Sequence, residues 1–386
     1  MLAAIVGGRL QGVEAACLAR YAGWRTLVVD RCGGVPAQRM GDRFRQVDVE
    51  DLSALDEVCK HADLVIPALE NQAALAALVQ WGRERGVTVA FDPAAYAVSC
   101  SKTDSNRLFA SMGIPLPEPW PRCGFPVVAK PNGASGSDGV TILKDPADLA
   151  AAFPGGVPES GWVFQQYLDG PSYSLEVVGR PGGHVPLQVT ELFMDAGHDC
   201  KAVAAPSGLT SGREQEIASL GVAIAGALNL HGLMDVEVIL HDGQFKVLEI
   251  DARLPSQTPL AVYHSTGVNM VDLLADGFLP GPSRRTPPET AARGVILQHI
   301  RVTPESIATA GEHVMAEAGP LHRIPGFYGA DEALTDFRRG AAHWSATLIV
   351  SGRTRGRAER NRDRVMAAIQ RDLDTVIVDS VPEVLA

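Results

Sequence analysis

No stretch of the sequence stays apolar over the roughly 18 residues that a membrane-crossing helix needs, so no transmembrane segment is expected. The opening residues, MLAAIVGG, lack a basic leader and reach Arg9 before an apolar core of signal length has formed. A cytoplasmic protein without membrane contact is the expectation. Cysteine is sparse: Cys17, Cys32, Cys59, Cys100, Cys123 and Cys200 are scattered, with no Cys-x-x-Cys pair and no nearby histidine at zinc spacing. That argues against a disulfide scaffold or a structural zinc site and leaves free thiols in a reducing compartment. Positive charge is also short, with 34 Lys and Arg against 45 Asp and Glu and a net charge of −11. Non-specific binding to nucleic acid or anionic membrane needs a basic surface and is disfavoured. A nucleotide pocket is not, because a few local cations suffice. The arginines that do cluster, Arg353, Arg355, Arg357, Arg360, Arg362 and Arg364, fall at spacings that spread them over a solvated helix. Repeats of solenoid period are absent as well.

What is present is the composition of a globular protein, 46% hydrophobic and 20% charged, on a chain of 386 residues that exceeds one ordinary core. Three modules are expected. Residues 1–97 alternate short apolar runs (Ala3 to Val6, Thr26 to Val29, Leu64 to Ala68, Val87 to Phe91) with helical stretches (Gln11 to Tyr21, Leu52 to Cys59, Gln72 to Arg85). That alternation predicts an α/β, Rossmann-like parallel sheet. Residues 98–285 open with a helix at Ser101 to Met112 and a proline-rich connector, Ile114 to Pro121, that can be neither helix nor central strand. They continue as an α+β region with helices near Pro146 to Phe153 and Arg213 to Leu230. A second break, Pro280 to Pro288, precedes a C-terminal module over 286–386 with strands near Gly294 to Val302 and Ala346 to Val350 and a helix near Arg357 to Arg371.

The strongest local pattern is Asp235 to Leu240, a turn at His241 to Gln244, and Phe245 to Arg253, which predicts a β-hairpin. Residues two apart share a face, so Asp235 projects with Glu237 and Glu249 with Asp251, and chain reversal lets Glu237 and Glu249 converge. Converging carboxylates repel unless a cation sits among them, and oxygen-only ligands suit magnesium. The solvent face of an antiparallel hairpin presents the same pattern, so the hairpin alone does not separate the two. Upstream, the strand Phe125 to Pro131 ends in Lys130 and runs into the small-residue loop Asn132 to Val140. Such a loop lets backbone N–H groups approach phosphate oxygens while the lysine supplies charge. It is not a Walker A loop, since no Gly-Lys-Ser/Thr follows.

Together, Lys102, Lys130 with its loop, Val163 to Gly170, and the hairpin ending Leu248-Glu249-Ile250-Asp251-Ala252-Arg253 resemble the ATP-grasp superfamily over nearly the whole chain. The resemblance implies that fold, with an N-terminal Rossmann-like domain, an ATP-grasp domain whose lid spans about 120–168, and a small C-terminal domain. Within the superfamily, Val6 to Gly12, Pro67 to Asn71, Glu249 to Pro259 and Gly311 to Met315 resemble the ligase family of pyrrolysine biosynthesis, with Asp251 where other members carry Asn. That family joins 3-methyl-D-ornithine (or D-ornithine) to the ε-amine of L-lysine, using ATP and Mg2+ and passing through an acyl phosphate. Another carboxylate–amine pair is the alternative, and a homodimer is compatible with the resemblance.

The resemblance implies roles for named residues. Glu237, Glu249 and Asp251 would hold the metal, and Lys102, Lys130, Ser135, Gly136 and Ser137 the phosphates, with Glu237 and Glu249 reaching them through the ion. Gln165, Gln166, Tyr167 and Leu168 would line the adenine. Arg253 and Lys130 would act in catalysis, Arg253 gripping the phosphoryl group or a substrate carboxylate; without the motif it would pass for a salt bridge to its neighbours. Ser174 and Glu176, two apart on one strand face, would meet the diamino acid, as would Ser256, Gln257 and Thr258. Glu70, at the carboxyl end of a parallel strand, and the Leu10-Gln11 loop would contact lysine; a helix-capping role for Glu70 competes. Gln11, Gly12 and Asp30 invite one further comparison, with NAD-dependent dehydrogenases, because Gly7-Gly8-Arg9-Leu10-Gln11-Gly12 followed by an acid resembles a dinucleotide fingerprint. Leu10 or Gln11 occupies its third glycine position, so a dehydrogenase is disfavoured, although Asp30 retains a contact to a second nucleotide or the end of its strand as readings. His264 and His313 show no partner at catalytic or metal spacing.

Overall fold

In the first ninety residues alternate side chains of each apolar strand must be buried on opposite faces, and the fold provides a helical layer for each. The computed structural model describes residues 1–180, 182–281 and 292–382. Strands β1 (Leu2–Val6), β2 (Arg25–Asp30), β3 (Arg43–Gln46) and β4 (Leu64–Pro67) form a parallel sheet in the order β3-β2-β1-β4. Ala3 and Ile5 pack toward the helix Leu10–Tyr21, whereas Ala4 and Val6 pack toward Leu52–Cys59 and Gln72–Arg85. Continuous apolar strands suit a sheet covered on both faces. The run Val87 to Phe91, expected as a strand, makes only a single bridge from Val89 to Val65. It then peels away, because Asp92 caps the helix Pro93–Ser99 that follows at once.

A small antiparallel sheet comes next, β5 (Val127–Pro131), β6 (Thr141–Leu143) and β7 (Trp162–Gln166), in the order β6-β5-β7. The proline-rich connector runs alongside it: Gln166 and Trp120 exchange backbone bonds with Glu118 and Phe164, and Val247 donates to the Pro115 carbonyl. The large sheet holds β8 (Ser172–Arg180), β9 (Gly183–Met194), β10 (Cys200–Ala205), β11 (Gly232–His241), β12 (Gln244–Asp251), β13 (Gly294–Val302), β14 (Ser306–Thr309), β15 (His322–Pro325), β16 (Glu332–Thr335), β17 (Trp344–Gly352) and β18 (Val376–Asp379). Its order is β12-β11-β8-β9-β10-β13-β17-β16-β15, with β14 and β18 branching from β13. The antiparallel pair β10–β13 joins the centre to the C-terminal third without a gap. Most of the expected break at Pro280 to Pro288, with its boundary at 285/286, lies outside the described residues. The helix Arg355–Leu373 packs Ala358, Val365, Met366 and Ile369 onto the sheet. Its arginines are not all solvated: Arg355 pairs with Glu191 and Arg362 donates to Gln298.

Candidate active site

Strand alternation alone would bury the carboxylates of β12. Phe245 and Val247 face the core, so Glu249 and Asp251, two and four residues on, would follow them inward. A bulge prevents this. The register runs Val238 to Val247 and then Glu237 to Glu249, leaving Leu248 over, so that Ile250 and Ala252 turn to the core and Glu249 and Asp251 to the opposite face. Glu237 and Glu249 therefore stand directly across from each other.

They line a cavity of about 170 Å³ between the small sheet and the large one, together with Lys102, Lys130, Ser135, Ser137, Gln165, Gln166, Tyr167 and Leu168. Lys102 Nζ lies 3.1 Å from Glu249 and also donates to the Ala134 carbonyl of the glycine-rich loop. Lys130, at the end of β5, is buried and donates to the Leu248 carbonyl at 3.3 Å. Burial lowers its pKa, opposed by Glu249. Burial likewise works against ionised Glu249, yet Lys102 and Lys130 hold it below the usual carboxylate range. Glu237 has less help: burial, then Glu249, Asp251 and Glu312, outweigh Lys130 and push it up to about 8.

That imbalance is the test of fit for a magnesium ion. Two facing carboxylates, one of them pushed toward its neutral form by burial and by the acids around it, form an oxygen site short of positive charge, as a hard cation requires. Asp251 does not join them. Its Oδ2 is held by Arg253 at 2.9 Å, and among the described residues no three His, Cys, Asp or Glu side chains are grouped to hold an ion. Of the expected three carboxylates, Glu237 and Glu249 face each other, and Asp251 stands on the same cavity wall, bound through Oδ2 to Arg253. Magnesium bound through one or two carboxylates plus phosphates needs no more.

A second cavity, of about 90 Å³, adjoins the first and shares Ser137, His198, Glu237 and Glu249 with it. Ser174, Asp199, Asp235, Asp251, Arg253, Ser256, Gln257, Thr258 and Glu312 are also in its wall. Arg253 is pinned by Asp251 and by Glu70, 2.6 Å away. Glu70 also accepts from Gln11 at 2.6 Å and from the Ser135 hydroxyl. One carboxylate thus joins the N-terminal sheet, the glycine-rich loop and the large sheet.

An ATP-grasp domain model matches residues 100–257, the span that supplies both lysines and the hairpin. The 3-methyl-D-ornithine–L-lysine ligase of Methanosarcina mazei is 31% identical over 369 residues, covering 95% of each chain. That of Methanosarcina acetivorans is 32% identical over 371 residues, covering 95% of this chain and 97% of its own. The chain belongs to this ATP-grasp ligase family. An N5-carboxyaminoimidazole ribonucleotide synthetase bound to ADP shares the fold of the ligase, with a TM-score of 0.70 at 14% identity over 96% of this chain and 97% of that one.

Other expected site residues are distributed unevenly in the ligase. Ser174, Ser256, Gln257 and Thr258 line the second cavity, and Gly136 and Ser137 sit at its edge. Glu176 does not line it. It is fully buried behind Ser174 and Thr258, where burial raises it to about 7. Gln11 bonds Glu70, while Leu10 packs among core residues. Both Asp30 oxygens accept backbone N–H groups, from Gly8 at 2.7 Å and Cys32 at 2.8 Å, and a Cβ on Gly8 would meet Val35 at 2.3 Å. The two histidines have partners after all: His264 meets Glu332 at 3.1 Å and His313 meets Asp199 at 2.6 Å. Asp199 approaches only because residue 311 is glycine, where a Cβ would fall 2.0 Å from its Oδ2. Sequence reasoning missed Asp199 and Glu312 as wall residues, since they reach the cavity from segments more than 100 positions apart; the motif Gly311 to Met315 was the signal available.

Proposed function

We propose that this ligase activates the carboxylate of 3-methyl-D-ornithine, or of D-ornithine, as an acyl phosphate at the expense of ATP and joins it to the ε-amine of L-lysine, a step of pyrrolysine biosynthesis. The observation that carries the reading is the pair of adjoining cavities, one lined by two lysines and a small-residue loop, the other by Arg253 among acids. It is supported by relatives whose names state that reaction.

In this reading Lys102, Lys130, Ser135, Gly136 and Ser137 hold the ATP phosphates. Gln165 to Leu168 edge the adenine, where the N–H groups of Gln166 and Tyr167 are already committed to the Glu118 and Pro126 carbonyls. Glu237 and Glu249 hold magnesium, which offsets phosphate charge when bound. Lys130 and Arg253 neutralise charge developing on the transferred phosphoryl group, and Arg253 orients the carboxylate that receives it. The amine, once deprotonated, attacks the acyl carbon; phosphate leaves and an amide forms. Glu70 and Gln11 face the lysine substrate. We assign these roles across the same three parts, 1–97, 98–285 and 286–386, and place the reaction in the cytoplasm.

The test supplies ATP, magnesium, L-lysine and either D-ornithine or its 3-methyl form, and follows ADP together with the mass of the condensed product. ADP released only with a different acid–amine pair would sink the substrate assignment.

A further inference from the structure

The turn that joins β9 to β10, Asp195 to Asp199, meets the glycine-rich loop at the edge of the large sheet. A short connection of this kind ordinarily needs only its own bonds. Asp195 supplies those: its Oδ1 accepts from Gly197 N at 2.8 Å and from Asp199 N at 3.1 Å, and its carbonyl accepts from His198 N at 3.0 Å. The turn is also tied from outside, by segments far away in the sequence. Asp195 Oδ2 accepts from Gly311 N at 2.9 Å, and Asp199 Oδ2 accepts from His313 N at 3.0 Å. Ala196 N donates to the Ser380 hydroxyl at 3.0 Å, just past the end of β18. Ser380 is itself fixed, its N–H donating to Thr309 Oγ1 at 3.1 Å and its carbonyl accepting from the Lys201 ammonium. Lys201 pairs as well with Asp379, 2.7 Å away.

What the turn presents, held in this way, is the His198 carbonyl, which accepts from Ser137 Oγ at 2.7 Å. Both residues hold left-handed backbones, φ 59° for Ser137 and 60° for His198. Residues with a side chain disfavour that conformation, and it persists where the surroundings fix it. Ser137 and His198 each line both cavities, so their contact stands at the junction of the two. Two residues back, the Ser135 hydroxyl donates to Glu70. The glycine-rich loop is thus suspended between the N-terminal sheet on one side and this turn on the other. Without its ties to Gly311 and Ser380 the turn would be an ordinary hairpin end, free to shift together with the loop.

We propose that Asp195 and Ser380 position the turn as the seat on which the glycine-rich loop closes over the ATP phosphates. The inference rests on the reading of that loop as the phosphate-binding element. Both are positioning residues: neither lines a cavity, and each acts on the nucleotide through the turn and Ser137.

The test measures the affinity of the whole chain for MgATP by isothermal titration calorimetry, without amino-acid substrates, alongside the melting temperature. Ser137→Ala should raise Kd roughly fivefold, the worth of one ordinary hydrogen bond, and Asp195→Ala should raise it by a similar factor. The two substitutions combined should cost little more than either alone, because both break the same contact. Asp195→Asn keeps Oδ1 for Gly197 and Asp199 and loses the acceptor for Gly311, so its Kd should fall between wild type and Asp195→Ala. Ser380→Ala should give a smaller rise, about twofold. If Asp195→Ala does not fold, Asp195→Asn and Ser380→Ala, each paired with Ser137→Ala, complete the same cycle. Asp195 and Ser380 variants that lower the melting temperature but leave Kd unchanged, or factors that multiply in the double variant, would overturn the proposal. An unchanged Kd in both Ser137→Ala and Lys130→Ala would instead remove the phosphate-loop reading on which it stands.

Discussion

Among individual residues, Glu249 combines the most constraints: it faces Glu237, pairs with Lys102 and is pulled down by Lys130. Glu249→Gln keeps the shape and removes the charge. Turnover, read as ADP release at saturating ATP, should fall by roughly 100-fold or more, as for loss of one preorganised electrostatic contact. The thermal midpoint should hardly move, because the substitution relieves repulsion with Glu237 as it orphans Lys102. Lys102, Lys130, Glu237, Glu249 and Arg253 were legible in the sequence as cavity-wall residues through the motifs that set their order; strand period alone would have turned Glu249 inward. Asp251 was legible as a neighbour but not as a partner of Arg253. Its pairing with the guanidinium at 2.9 Å is a contact no spacing rule contains. Glu312 and Asp199 were illegible as wall residues, since their approach depends on tertiary packing about a glycine.

For single elements, the helix Thr258–Thr266 shows how a distant residue sets a local end. Its own N-cap, Gln257, supplies no side-chain bond; Glu14, from the first helix of the chain, accepts from Leu260 N at 2.8 Å instead. Burial raises Glu14 to about 8, opposed by its backbone donors Leu260 and Gln257. The folded protein therefore keeps a proton that the unfolded chain releases near the ordinary carboxylate value of about 4.5. The stabilising contribution is full below that value and is lost as pH rises through about 8. Glu14→Gln keeps an acceptor and cannot ionise, so its melting temperature should match wild type at acidic pH and exceed it above pH 8, as scanning calorimetry across pH would show. The element boundaries of most helices and strands were legible from periodicity. The bulge at Leu248 was not, because Val247 and Ile250 each look like ordinary core positions until their register with β11 is known.

For the molecule as a whole, the large sheet carries the carboxylates on β11 and β12 and, on β13, His299, which bonds Gln257 of the second cavity, in one hydrogen-bonded array. The composition break in the sequence reads as a change of module and could not show that strand pairing resumes beyond it, since β-pairing is non-local and leaves no signature at either strand. A chain ending at Gly281 would bare the β10 edge that β13 covers. Such a truncation should be insoluble or aggregated by size-exclusion chromatography and should not release ADP, rather than behave as a smaller active enzyme.

The contact between Glu70 and Arg253 has a chemical consequence. Any carboxylate that reaches Arg253 meets an anion already seated there and fixed to the same molecule. Tethered groups act at effective concentrations in the mM range. Simple monocarboxylates offering a single charge face an internal competitor that never dilutes away. A substrate that also presents an ammonium group to Glu70 resolves the competition by occupying both partners at once. In the proposed reading the pair is a filter on ionic form, passing zwitterions in preference to anions.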